Sequence, residues 1–131
     1  MSKEKRCMLS ELIALAQADH KIDDREYHFI VTVAESFGFD KNTVDALVEN
    51  PEKTTPLKTE VDRISHFYRL ILLMNVDDET HVIEIDAIRN FGLKMGIRPE
   101  AVEQILREMW HYENKMIPTE KLTSIFKRFY N

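Results

Sequence analysis

Apolar residues recur with a helical period along almost the whole chain. Leu9, Leu12, Ile13 and Ala16 stand at i, i+3, i+4 and i+7 and predict a first helix over about Lys3 to Ala18. Ile22 interrupts a polar corner and is expected to tuck beneath it. Asp23 then suits an N-cap, and Glu26 three residues later completes a capping box. Tyr27, Ile30, Val33, Ala34 and Phe37 line a second helix, which Gly38 is placed to stop. Asp40 caps a third, carrying Val44, Leu47 and Val48. Pro51 to Pro56 reads as a connector. The fourth helix, about Thr59 to Val76, holds the apolar run Leu70 to Met74 and should be the most enclosed. A fifth carries Ile85, Ile88, Phe91, Gly92 and Met95 and ends at Gly96. Pro99 opens a sixth with Val102, Ile105, Leu106, Met109 and Trp110. Pro118 begins a seventh, with Leu122, Ile125, Phe126 and Phe129 on one face.

The first and second halves repeat. Residues 9–50 lie on 67–108 without a gap, at an offset of 58. Leu12/Leu70, Ile13/Ile71, Leu15/Leu73, Asp19/Asp77, Glu26/Glu84, Ile30/Ile88, Gly38/Gly96 and Val44/Val102 are identical pairs. Each unit is helix, acidic corner, helix, glycine, helix. One unit is too small to bury its own apolar face, so the two should pack together about a pseudo-two-fold axis. The expected fold is all-α: about seven helices in a compact bundle of two pseudo-two-fold-related three-helix repeats, with the C-terminal helix covering an open side. A single domain, 1–131, follows.

Composition narrows the function. The 131 residues are enough to bury roughly two-thirds of the unfolded surface in one core. Only three glycines and four prolines disfavour a sheet-and-turn fold. A net charge of −5 disfavours general nucleic-acid binding, which needs excess Lys and Arg. Cys7 is the single cysteine, so neither an intrachain disulfide nor a cysteine zinc cage is available, and a structural thiol is expected. No stretch reaches the ~20 apolar residues of a membrane span. Without a signal-peptide pattern, the expected location is cytoplasmic.

The candidate chemistry lies at the two corners. Asp19 and Asp77 end helices, where the carbonyl ends disfavour an anion; Glu26 and Glu84 open helices, where an anion is favoured. Capping explains Glu26 beside Asp23. It explains Glu84 less well, because His81 holds the place of Asp23. Four carboxylates from two corners could supply oxygen ligands to calcium, magnesium or manganese, with zinc a further option. Asp23, Asp78 and His81 are secondary candidates. The corner echoes an EF-hand but lacks its first two ligands and its turn glycine, where Leu15, Gln17 and His20 stand.

The stretch Leu-Ile-Ala-Leu-Ala-Gln-Ala-Asp-His-Lys-Ile-Asp-Asp-Arg-Glu, followed by Ile30, Ala34 and Gly38, resembles the TerB-like domain of bacterial tellurite-resistance proteins. Related domains begin some membrane-anchored DnaJ-like proteins. The resemblance implies an all-α bundle of two halves with an acidic metal-binding surface carried by Asp19, Glu26, Asp77 and Glu84. It also implies a role related to stress or tellurite resistance. Two places depart from the family pattern: His20 replaces its glycine, and the second unit reads Asp77-Asp78-Glu79.

Among the five histidines, His20 and His81 sit at the corners, and no His-Glu-x-x-His motif occurs. Trp110 and Tyr112 are candidate partner contacts. The competing expectation is that Met109, Trp110 and Met116 anchor the last helix. The expected function is a non-enzymatic, cation-binding helical module that contacts another protein or a second copy as a homodimer. The alternatives are a metal-free interaction or scaffold domain and a carboxylate metal-dependent hydrolase, for which no convincing base is present.

Overall fold

A computed structural model describes residues 2–18, 21–53, 57, 59–76, 82–112 and 115–130. Among these residues seven α-helices form: α1 (Ser2–Ala16), α2 (Asp24–Ser36), α3 (Lys41–Glu49), α4 (Glu60–Met74), α5 (Val82–Lys94), α6 (Pro99–Glu108) and α7 (Thr119–Tyr130). A 3₁₀ turn, Met109–His111, follows α6. No strand occurs among the described residues. The helices expected from the apolar period are all present, with α1 and α4 each ending two residues early.

Start and stop signals act as local chemistry requires. Asp23 accepts the Glu26 backbone N–H (2.8 Å), and Glu26 accepts that of Asp23 (3.1 Å), a complete capping box. Asp40 caps α3 and Thr59 caps α4 through side-chain oxygens. Before α6 stands Arg98, with no side-chain cap and with Pro99 in the first turn. Gly38 and Gly96 both take positive φ, 89° and 75°. After α2, Phe39 N–H reaches Ala34 C=O and Gly38 N–H reaches Glu35 C=O. After α5, Ile97 N–H reaches Gly92 C=O and Gly96 N–H reaches Leu93 C=O. Both are Schellman ends, so the repeat extends to individual backbone hydrogen bonds.

One hydrophobic cluster takes residues from both halves, including Leu9, Leu12, Ile30, Val44, Phe67, Leu70, Ile88, Val102 and Ile105. Fully burying each such side chain contributes about 1.5–3 kcal/mol before entropic costs. α1 packs on α4, α1 reaches α5, and α4 correspondingly reaches α2. Exchanging the units therefore maps these contacts onto one another. α7 packs on α6, and Phe126 meets Phe67 of α4 edge-on at 6.5 Å.

The expectation that α4 is the most enclosed helix needs correction. Every α1 residue from Cys7 to Ile13 is buried, polar ones included. The connector after α3 lies across α1. Ser10 Oγ accepts the Glu52 N–H (3.1 Å), and Cys7 Sγ donates to Lys53 C=O (2.9 Å). Leu57 is buried beyond them, and Arg63 donates to its carbonyl. The structural thiol expected at Cys7 is accounted for by this contact.

Candidate functional site

The second helix of each unit carries its corner glutamate at the third position, inside the first turn. Both are buried almost completely, Glu26 at 1% exposure and Glu84 at 2%. A carboxylate taken so far from water requires hydrogen-bond donors or a cation close by. At Glu26 the capping box supplies one N–H. Asp23 is half-buried and its Oδ1 is committed to that box. Asp24 is exposed next to it. The other corner candidates, Asp19, His20, Asp77, Asp78 and His81, lie outside the described residues, as does the expected inward placement of Phe129.

The elements that bear the two corners adjoin. An open hollow of about 540 Å³ is lined by Asp24, Arg25, His28, Phe29 and Thr32 of α2 and by Val76. Val76 follows α4 and precedes Asp77 in the chain. Phe29 and Val76 make the walls largely carbon, so the hollow is not itself a cation cavity. It does place the first turns of α2 against the chain leading into the second corner.

As a cation site the described residues are incomplete. Glu26 and Glu84 give one buried carboxylate per corner, whereas calcium takes six to eight oxygens and magnesium six. Among the described residues no three His, Cys, Asp or Glu side chains gather as a ligand set. Asp19 and Asp77 are the sequence's further donors.

A second buried polar pair was not legible from sequence spacing. His66 of α4, fully buried, shares a 2.8 Å hydrogen bond through Nε2 with Glu11 Oε1 of α1. Glu11 Oε2 and His66 Nδ1 are buried without a hydrogen-bond partner among the described residues. The residues are 55 apart, and neither matches a ligand motif. The only signal is that Glu11 sits amid Leu9, Leu12 and Ile13, within the stretch of α1 from Cys7 to Ile13 that is buried throughout.

The aromatic segment after α6 also differs from expectation. The 3₁₀ turn carries Met109 inward and leaves Trp110 59% exposed, with Met116 53% exposed. Neither anchors α7. Met109 and Ile117 are buried instead, and Tyr68 Oη donates to Ile117 C=O (2.8 Å). Tyr112 is partly buried against the core. Lys115, at φ 57°, places Nζ 5.0 Å from the centroid of the Trp110 ring. His28 and His111 are exposed.

Surface charges are arranged in short local networks. Tyr27 Oη donates to Asp45 (2.6 Å), and Lys41 bridges the same carboxylate. The Tyr27 hydroxyl first, then Lys41, hold the Asp45 carboxyl below its ordinary range. Arg89 donates twice to Glu103, joining α5 to α6, and holds that carboxyl down as well. No helix among the described residues is long and apolar enough to cross a membrane. Compared with family models, curated proteins and solved structures, the chain matches none.

Proposed function

We propose that the protein is a non-enzymatic helical module of TerB-like kind that takes a divalent cation at its paired acidic corners and docks a protein partner. The observation that carries the cation reading is the hollow shared by α2 and Val76, which sets the helix of Glu26 beside the chain entering the second corner. Equal burial of Glu26 and Glu84 supports it. In this reading the two glutamates are the fixed members, and Asp19 and Asp77 supply the remaining carboxylate oxygens. Calcium, magnesium and manganese suit such a set.

Calorimetric titration with each of these ions tests it. Binding should occur at millimolar concentration or below. It should weaken at least tenfold in Asp19→Asn/Asp77→Asn, about 1.4 kcal/mol or more. Absence of binding by the wild type removes the cation from the reading.

A metal-free interaction module is the second reading, favoured by the capping box that already occupies Asp23 and Glu26. Exposed Trp110 and Met116, with Tyr112 beside them, form its contact surface. Trp110→Ala then weakens capture of a native partner while leaving the melting temperature unchanged.

A further inference from the structure

The buried Glu11–His66 pair carries an inference through the repeat. At the offset of 58, His66 corresponds to Met8 (66 − 58) and Glu11 corresponds to Arg69 (11 + 58). The pair thus occurs once at the α1–α4 contact, and its counterpart is chemically different. Met8 is buried, while Arg69 places its guanidinium 5.0 Å from the centroid of the Phe37 ring, which Lys5 also approaches at 5.7 Å. The rest of the contact is nearly interchangeable. Leu12, Ile13 and Leu15 of α1 are repeated as Leu70, Ile71 and Leu73 of α4, and all six are buried.

A surface so alike on both units has an inherent rival: first unit against first unit of a second copy, and second against second. We propose that Glu11 and His66 are the device that excludes this homotypic pairing and commits the first unit to the second. In an α1–α1 contact Glu11 would face Met8 of the other copy, burying a carboxyl against a thioether with no hydrogen-bond partner. Two-fold symmetry would do this twice. In an α4–α4 contact His66 would face Arg69, a guanidinium set against the ring with no carboxylate to balance it. Only the heterotypic contact matches the carboxyl to the ring. Buried polar groups that fix register and partner in otherwise apolar helix contacts act in this way, by penalising the alternatives. Oε2 and Nδ1, buried without a partner among the described residues, fit the assignment, since an apolar pair would avoid burying them.

The test erases the distinction without opening a cavity. Glu11→Leu combined with His66→Met gives the second unit the first unit's residue, so position 11 meets methionine in either pairing. Sedimentation velocity over a wide concentration range is compared for the wild type, the double variant and Glu11→Gln, with circular dichroism melting as the folding check. The double variant should melt cooperatively and self-associate at least roughly tenfold more tightly than the wild type, as relief of two buried unpaired groups requires. Glu11→Gln keeps a partner for the ring and should sediment as the wild type. A cooperatively melting double variant that sediments as the wild type does at every concentration overturns the proposal. So does a double variant that no longer melts cooperatively, because the pair would then be needed for folding itself.

Discussion

In the first unit α3 leans on both α1 and α2; in the second, α6 leans on α5 and α7. The same contrast runs down to single residues. Ala34, buried near the end of α2, corresponds to Gly92 near the end of α5 (34 + 58). A methyl group at Gly92 would come within 2.7 Å of Val102 Cγ2 and 3.6 Å of Phe67. In the second unit Val102 and Phe67 occupy the space that a side chain at this position would need. Asp40 caps α3 through its carboxylate, whereas Arg98 offers α6 no side-chain cap and Pro99 presets the first turn. Two units of one pattern have thus kept their stops and corner glutamates while diverging in how the third helix is started and covered.

Substitutions can break this comparison or refine it. Gly92→Ala should have the largest effect. Val102 is stiff about χ1 and cannot easily yield, so overpacking of about 1–3 kcal/mol outweighs a helix-propensity gain of about 1 kcal/mol or less. Urea unfolding should give a net loss of up to about 2 kcal/mol, recovered in part when Val102→Ala accompanies it. If Gly92→Ala is stabilising, the close approach is not limiting. Gly38→Ala and Gly96→Ala should each cost about 1 kcal/mol in the same assay, and nearly equally, because nothing lies within 4 Å of the added methyl and only the positive φ opposes it. Unequal losses would show that the two Schellman ends are not energetically alike. Asp40→Ala should cost about 1 kcal/mol in the same assay. A negligible loss would show that the carboxylate cap adds little to α3.

The smallest effect concerns pH. The Tyr27 hydroxyl bond depresses the Asp45 carboxyl, so this group adds stability above its unfolded value near ~3.9, and the contribution is lost as pH falls through its folded value. The carboxyl is solvent-exposed, so the effect on stability is slight. A Tyr27→Phe variant should move the Asp45 midpoint upward, towards the ordinary carboxylate range, in an NMR titration. An unmoved midpoint would mean that Lys41 alone sets it. The counterpart of Asp45 is Glu103, held down by Arg89 instead of a tyrosine (45 + 58), so the two units stabilise one acidic position with different donors.

What could be read from the sequence was local. Apolar spacing places α1 to α7; Asp23 and Asp40 mark two capped starts, and Gly38 and Gly96 two stops. These signals act over a few residues, so they survive without knowledge of the tertiary fold. The misplacements have a different cause. Enclosure of α1 depends on residues 51–53 crossing it, contacts over 42 and 46 residues that periodicity does not encode. Of the two expectations for Trp110, the inward one continues the α-helical period, but a tighter turn begins at Met109 and leaves Trp110 exposed. At the corners, Glu26 and its cap were legible because the capping box is a short motif. The Glu11–His66 pair joins two helices across 55 residues, and the one trace in the sequence is a glutamate amid the apolar residues of α1.

The connector's grip on α1 has a kinetic consequence. Cys7, the chain's single cysteine, is held at 1% exposure with its thiol donating to Lys53 C=O. A reagent reaching that sulfur must wait until the structure that buries it opens. The thiol is therefore a built-in clock, and its rate of alkylation under native conditions reports how often the surroundings of Cys7 open.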